Sequence, residues 1–297
     1  MSRADVTVRR VGPEAAADVL AVVQAAFGAR PPLDPPADAM ADTEETVAAD
    51  LAAYGGLLAT LDGRPVGTLV FKPLPEAFYL RRFGVVPDAQ GHGVAAALVD
   101  AAVAAAIGHG CVGVLAREEL PATIRFWERH GFEEADRRPP YVELRRALPT
   151  SYDAPDADAM RDLGTRVGAA LRAGDLVVLT GELGAGKTTF TQGLGEGLGV
   201  RGGVTSPTFV IARVHPSLVE GPDLVHVDAY RLGGIEELDD LDLDTSLDTA
   251  VTVVEWGAGL AEALAEQRLD VIITRALADE VGVDDADPRR VELRRVV

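Results

Sequence analysis

The chain has 297 residues, 47% of them hydrophobic and 25% charged, and carries a net charge of −19 at pH 7. That length exceeds one ordinary domain and suits two, each with enough apolar residues to bury a core. A lone cysteine, Cys111, excludes an intramolecular disulfide and fits a reducing compartment. No charged-then-apolar leader opens the chain, and no apolar run reaches the ~20 residues of a spanning helix, so a cytoplasmic protein with no membrane segment is expected. The acidity is uneven: residues 1–150 hold 15 Lys and Arg against 20 Asp and Glu, residues 151–297 hold 13 against 27. A half as acidic as the second is badly suited to clamp nucleic acid directly. Its charge serves solubility or the docking of a basic protein.

In chain order, Val6 to Arg10 reads as a strand and Pro13 to Phe27 as a helix with apolar positions at 3–4 spacing. Pro31 to Pro36, with four prolines, reads as a rigid loop. Thr46 to Ala53 is expected to be helical, and Leu57 to Asp62 and Val66 to Pro73 to form a hairpin around Asp62-Gly63-Arg64-Pro65. Next come a strand, Phe78 to Val86; a helix, Gly93 to Gly108; a strand, Val112 to Arg117; and a helix, Ala122 to His130. Two strands, Phe132 to Asp136 and Tyr141 to Arg146, close the set.

Between a strand and a helix stands Val85-Val86-Pro87-Asp88-Ala89-Gln90-Gly91-His92-Gly93-Val94-Ala95. Its glycines expose backbone amides at a helix N-terminus, a cradle for a pyrophosphate that requires no lysine. Taken alone, the run also fits a glycine turn before an Ala-rich helix. The order of elements over residues 5–147, the Gln90 to Ala95 loop, and the helix Ala122 to His130 ending in Gly131-Phe132 resemble the GNAT acetyltransferase family. The resemblance implies that Gln90, Gly91, His92, Gly93, Val94 and Ala95 hold acetyl-CoA, and that backbone near Val85 and Val86 pairs with the pantetheine arm. Where such enzymes often carry a tyrosine as general acid, this chain has Trp127, whose indole is no useful proton donor. Glu76, Glu118, Glu119 or a water could serve as base, and nothing in the sequence selects one. His92 and His130 read as packing or solvent-facing groups, Tyr141 has no assigned role, and the amine acceptor is unnamed. The rival reading is an acetyl-CoA-binding platform without catalysis.

Leu148 to Asp156 is polar and bears prolines, which divides the chain into domains at 1–148 and 149–297. In the second domain the apolar run Asp175 to Thr180 leads into Gly181-Glu182-Leu183-Gly184-Ala185-Gly186-Lys187-Thr188-Thr189, with a helix expected over Thr188 to Leu198. Strand, G-x-x-x-x-G-K-[ST] loop and helix together make a phosphate site. Glycines let backbone N–H groups converge on a polyphosphate at the positive end of the helix dipole. Lys187 reaches the β- and γ-phosphates, and the Thr188 hydroxyl faces Mg²⁺. Thr205-Ser206-Pro207-Thr208-Phe209 reads either as a mobile loop sensing the γ-phosphate or as a polar turn before a strand over Phe209 to Val214. Leu224 to Asp228 and Ala250 to Glu255 are strands that end in carboxylates, where ligands of α/β sheets bind. The acidic Glu236 to Asp248 stretch reads as surface.

These pieces, GELGAGKTT, TSPTF, HVDAYRL and VEW, are similar to the TsaE family over residues 151–297. The resemblance implies ATP bound at Gly181, Gly184, Ala185, Gly186, Lys187, Thr188, Thr189 and Thr208, with Lys187, Asp228 and Glu255 catalytic. It implies Mg²⁺ near Thr188, Asp228 and Glu255. It further implies work beside TsaB and TsaD in forming threonylcarbamoyladenosine at adenosine 37 of tRNA, with the tRNA met through those partners. Read from the P-loop alone, a small-molecule kinase or a nucleotide-sensing module would also fit. The expected fold class is α/β: a GNAT-like mixed-sheet domain followed by a P-loop NTPase domain.

Overall fold

A computed structural model describes residues 5–205, 212–229, 248–256, 267–275 and 288–297. The chain divides into two compact units, Met1–Ala106 with Cys111–Leu148, and Ile107–Gly110 with Pro149–Val297. In the first, the strands are β1 (Val6–Val11), β2 (Gly56–Leu61), β3 (Arg64–Leu74), β4 (Ala77–Val85), β5 (Cys111–Arg117), β6 (Glu133–Arg138) and β7 (Tyr141–Ala147). The helices are α1 (Ala16–Gly28), α2 (Glu44–Tyr54), α3 (Val94–Ala105) and α4 (Pro121–Arg129). The sheet runs β1-β2-β3-β4-β5-β7-β6.

Residues Val66 to Phe71 of β3 are buried on both faces, because helices cover both. Leu69 and Phe71 join the cluster holding Val94, Leu98 and Trp127, while Val70 joins Val19, Val23 and Leu51 of α1 and α2. Gly67 permits the approach of α3: a Cβ there would stand 2.7 Å from Val94 Cγ1 and 2.9 Å from Leu98 Cδ1. β4 and β5 are parallel yet pair only at Phe78↔Val112 and Tyr79↔Gly113. Beyond Tyr79 the ladder stops, and the later half of β4 is left without β5 as a partner.

The second unit contains β8 (Ser151–Ala154), α5 (Ala157–Ala170), β9 (Leu176–Gly181), α6 (Lys187–Leu198), β10 (Ala212–His215), β11 (Asp223–Asp228), β12 (Ala250–Glu255), β13 (Arg268–Arg275) and β14 (Arg289–Val296). Its sheet runs β10-β11-β12-β9-β13-β14-β8. β11, β12, β9 and β13 are parallel, and β10, β14 and β8 join antiparallel. The stretch read as a linker contains β8, whose residues pair with β14 and whose Ala154 is buried. Pro149 and Pro155 bracket a strand there rather than exclude one.

α5 packs closely on α6, and glycines make the contact possible. A Cβ on Gly164 or Gly168 would run into the carbonyl oxygens of Phe190 and Leu194; one on Gly193 or Gly197 would meet those of Arg161 and Thr165. Asp156 caps α5, its carboxylate accepting from Ala159 N–H at 2.8 Å. This contact holds α6, and with it the end that carries Lys187 and Thr188. Gly193→Val is therefore expected to destabilise the second unit by about 2–3 kcal/mol through overpacking. A thermal midpoint within a degree of the parent's would show that the two helices tolerate a wider separation.

Candidate functional site

Two glycine-headed helix starts define the candidate sites. In the second unit, β9 delivers the chain into the loop, where Gly184 has φ +78° and Gly186, capping α6, has φ +103°. Such dihedrals favour glycine, since a Cβ clashes there. Lys187 is only 6% exposed, and its Nζ donates to Gly181 O at 2.8 Å and Glu182 O at 3.0 Å. Burial pulls the ammonium's pKa down, and Glu255 and Asp228 partly oppose that. The indole of Trp256 lies over it, Nζ standing 3.7 Å from the ring centroid, a cation–π contact. Trp256 itself has φ +62°, rare for a bulky residue, and its N–H donates to Leu179 O at 3.1 Å.

The acids arrive by strand register. Asp228 pairs with Glu255 across β11 and β12, and Glu255 with Leu179 across β12 and β9, so both carboxylates stand at the C-terminal edge near the loop. Glu255 is 3% exposed. Its Oε1 lies 3.3 Å from Thr188 Oγ1, which donates, and 2.9 Å from His226 Nε2. The structure thus brings Lys187, Thr188, Asp228 and Glu255 to one edge. Thr189 follows on the same first turn of α6. Thr208, Tyr230 and most of Glu236 to Asp248 lie outside the described residues. Next to that gap, Arg213 Nη1 donates to Thr205 Oγ1 at 2.8 Å.

The sequence patterns single out no role for His226. Alternation along Leu224-Val225-His226-Val227-Asp228 puts it on the face of Asp228, and that period-two pattern is the signal that could have found it. Two carboxylates and a hydroxyl are hard oxygen donors of the kind Mg²⁺ takes alongside phosphate oxygens and water. Among the described residues no three His, Cys, Asp or Glu side chains gather into a metal cage.

In the first unit a cavity of about 520 Å³ lies beside the end of β4, lined among others by Phe83, Gly84 and Val85 and by Gln90, Gly91, Gly93, Val94 and Ala95. Gly91 and Gly93 have φ +81° and +83°, and Gly93 caps α3. A Cβ on either would meet nothing within 4 Å, so these backbones face open space. Val86 and His92 stand apart from this lining. Val86 is 7% exposed in the core, its N–H donating to Val66 O at 2.9 Å, and His92 Nδ1 lies 3.1 Å from Gln90 O.

A second cavity, about 250 Å³, shares Arg30, Phe83, Leu120 and Thr123 with the first and adds Trp127 and Tyr141. Trp127 is 3% exposed and packs on Phe83 and Phe132 at 4.7 and 4.9 Å between centroids. It is a core aromatic; the hydroxyl-bearing residues lining the second cavity are Thr123 and Tyr141. None of the three candidate bases is among the residues lining these two cavities. Glu119 is tied at 2.6 Å to Arg117, which lines the second, Glu118 lies 3.7 Å from Arg137, and Glu76 lines a third cavity that shares Arg81, Leu115 and Tyr141 with the second. His130 stacks on Phe126 at 4.3 Å, a packing contact.

A family model described as threonylcarbamoyl adenosine biosynthesis protein TsaE matches residues 154–281, and one described as acetyltransferase (GNAT) family matches residues 23–132. Over 121 residues the chain is 70% identical to the tRNA threonylcarbamoyladenosine biosynthesis protein TsaE of Streptomyces coelicolor, spanning 40% of this chain and 82% of that relative. The Mycobacterium leprae protein of the same name is 51% identical over 128 residues, 41% of this chain and 80% of its own. Among solved structures, the ribosomal-protein-S18-alanine N-acetyltransferase from Escherichia coli aligns at 19% identity with a TM-score of 0.41, covering 48% of this chain and 94% of its own.

The buried Lys187 ammonium stands against the fold's own preference, because charge is costly away from water. Lys187→Met, which keeps the volume and drops the charge, is expected to raise the second unit's thermal midpoint by a few degrees, on the order of 1 kcal/mol. Calorimetry of the nucleotide-free protein checks this. A lowered midpoint would mean that the ammonium's bonds to the loop carbonyls outweigh its desolvation.

Proposed function

The chain belongs, through its second unit, to the TsaE family, and from that premise we propose that this unit is an ATPase serving threonylcarbamoyladenosine formation in tRNA. The observation that carries the proposal is the convergence of Lys187, Thr188, Asp228 and Glu255 on one edge of a parallel sheet, facing a glycine loop at a helix N-terminus. Backbone amides of Gly184 to Thr189 would hold the β- and γ-phosphates. Lys187 would exchange Gly181 O and Glu182 O for phosphate oxygens and offset the negative charge that develops there. Glu255 would orient the attacking water and draw its proton. Thr188 and Asp228, with Glu255, would hold Mg²⁺, which when bound supplies charge neutralisation across the phosphates.

TsaB and TsaD are the partners this reading names, with tRNA reached through them. ATP turnover would remodel or reset that assembly. The first unit, by its match to the GNAT family and the cavity beside Gly91 and Gly93, would bind acetyl-CoA and pass the acetyl group to an amine entering through the second cavity, which shares Thr123 with the first. Among the described residues no helix is long and apolar enough to cross a membrane.

Lys187→Ala is expected to lower ATP turnover at least a hundredfold, measured as phosphate release with TsaB and TsaD present. Undiminished turnover would sink the ATPase assignment, and phosphorylation of an added small acceptor without the partners would indicate a kinase instead. For the first unit, Gly93→Val places a branched side chain at positive φ in the cradle and is expected to weaken coenzyme A binding at least tenfold by calorimetric titration. Parent-like affinity in that variant would move the coenzyme elsewhere.

A further inference from the structure

We propose that His226 is a positioning residue for the Glu255 carboxylate, selecting which of its oxygens faces the reacting phosphate. This rests on the ATPase reading of the second unit. His226 is fully buried, with 0% exposure, on β11 two residues before Asp228. Its Nε2 lies 2.9 Å from Glu255 Oε1. A carboxylate oxygen there accepts, so the ring nitrogen facing it carries the hydrogen. The other ring nitrogen, Nδ1, is buried and has no hydrogen-bond partner among the described residues.

A leucine would suit this place better if packing were all that mattered. Leu224, on the same face of β11, belongs to an apolar cluster, and β12 contributes Val251 and Val253 to that cluster. Burying a ring with one nitrogen unpartnered costs stability that an apolar side chain would not. What the imidazole adds is direction. The Thr188 hydroxyl and the His226 N–H both converge on Oε1, which leaves Oε2 to reach a water or an ion at the sheet edge. Groups that hold a ligand's far side in this way affect rate and metal affinity by about ten- to a hundredfold when removed.

The test compares His226→Leu, which removes the donor, with His226→Gln, whose side-chain amide can present an N–H at a similar reach. With TsaB and TsaD present, His226→Leu is expected to lower kcat for ATP at least tenfold while KM stays within about threefold, and His226→Gln to keep kcat within about threefold. In the thermal midpoint of His226→Leu, relief of the unpartnered Nδ1 opposes the loss of a donor to the buried carboxylate, so the decisive readout is the difference in kcat between the two variants. A second readout needs no turnover: the affinity for a fluorescent ATP analogue, measured with Mg²⁺ and in EDTA. The parent and His226→Gln should show a gain with Mg²⁺ that His226→Leu lacks. Parent-like kcat in His226→Leu, or equal loss in both variants, overturns the proposal. A parent protein that turns over no ATP defeats the ATPase reading instead, and the Mg²⁺ gain then decides the role of His226 alone.

Discussion

Parallel backbone pairing among β11, β12 and β9 is the constraint on which the second unit's chemistry depends. Neighbouring strands stand about 4.8 Å apart, and an in-register ladder fixes their ends relative to one another. Asp228 opposite Glu255, and Glu255 opposite Leu179, set two acids beside the loop. A slip of one residue in either strand would turn that strand's acid to the other face of the sheet. The side-chain contacts from Thr188 and His226 to Glu255, and from Trp256 to Lys187, refine an arrangement the ladder has already made.

The first unit reaches a comparable result by the opposite route, with a ladder that stops. β4 and β5 share two residue pairs and then part, and the smaller cavity is lined from both, by Leu80 to Phe83 and by Val114 to Arg117, while the larger lies against the end of β4 and the glycine loop. Both units then use the same device, a left-handed glycine at the cap of a helix whose first amides face open space or a loop. The difference lies in the residue after that glycine. Lys187 supplies a positive charge after Gly186, whereas Val94 stands after Gly93 and leaves the work to amides and dipole. Under the functions proposed above, that contrast would suit a γ-phosphate that must be activated and a pyrophosphate that need only be held.

Much of this was legible in the residues. The apolar run Ala250 to Glu255 coincides with β12, and the glycine loops fall where the helices begin. The elements that escaped were governed by long-range partners. β8 is four residues between prolines and becomes a strand only because β14 offers it an edge. β14, Arg289–Val296, carries four arginines, and its alternation of Val291 and Leu293 inward is short and heavily charged outside. α5 carries two glycines, poor helix formers whose value appears only against α6. The site shows the same division. Lys187 and Thr188 are written in a motif, while the link from His226 to Glu255 spans 29 residues and depends on register.

The position of β8 bears on how the halves can be studied apart. The TsaE family match begins at residue 154 and ends at 281, yet the sheet extends through Ser151–Ala154 and Arg289–Val296. Trimming the chain to the matched span would strip both outer strands from β13 and bare its backbone groups along an apolar row that includes Val271 and Ile273. An uncovered edge of that kind invites strand-to-strand association. Aggregation of so short a fragment would reflect its exposed border and would say nothing about whether the ATPase half can fold by itself.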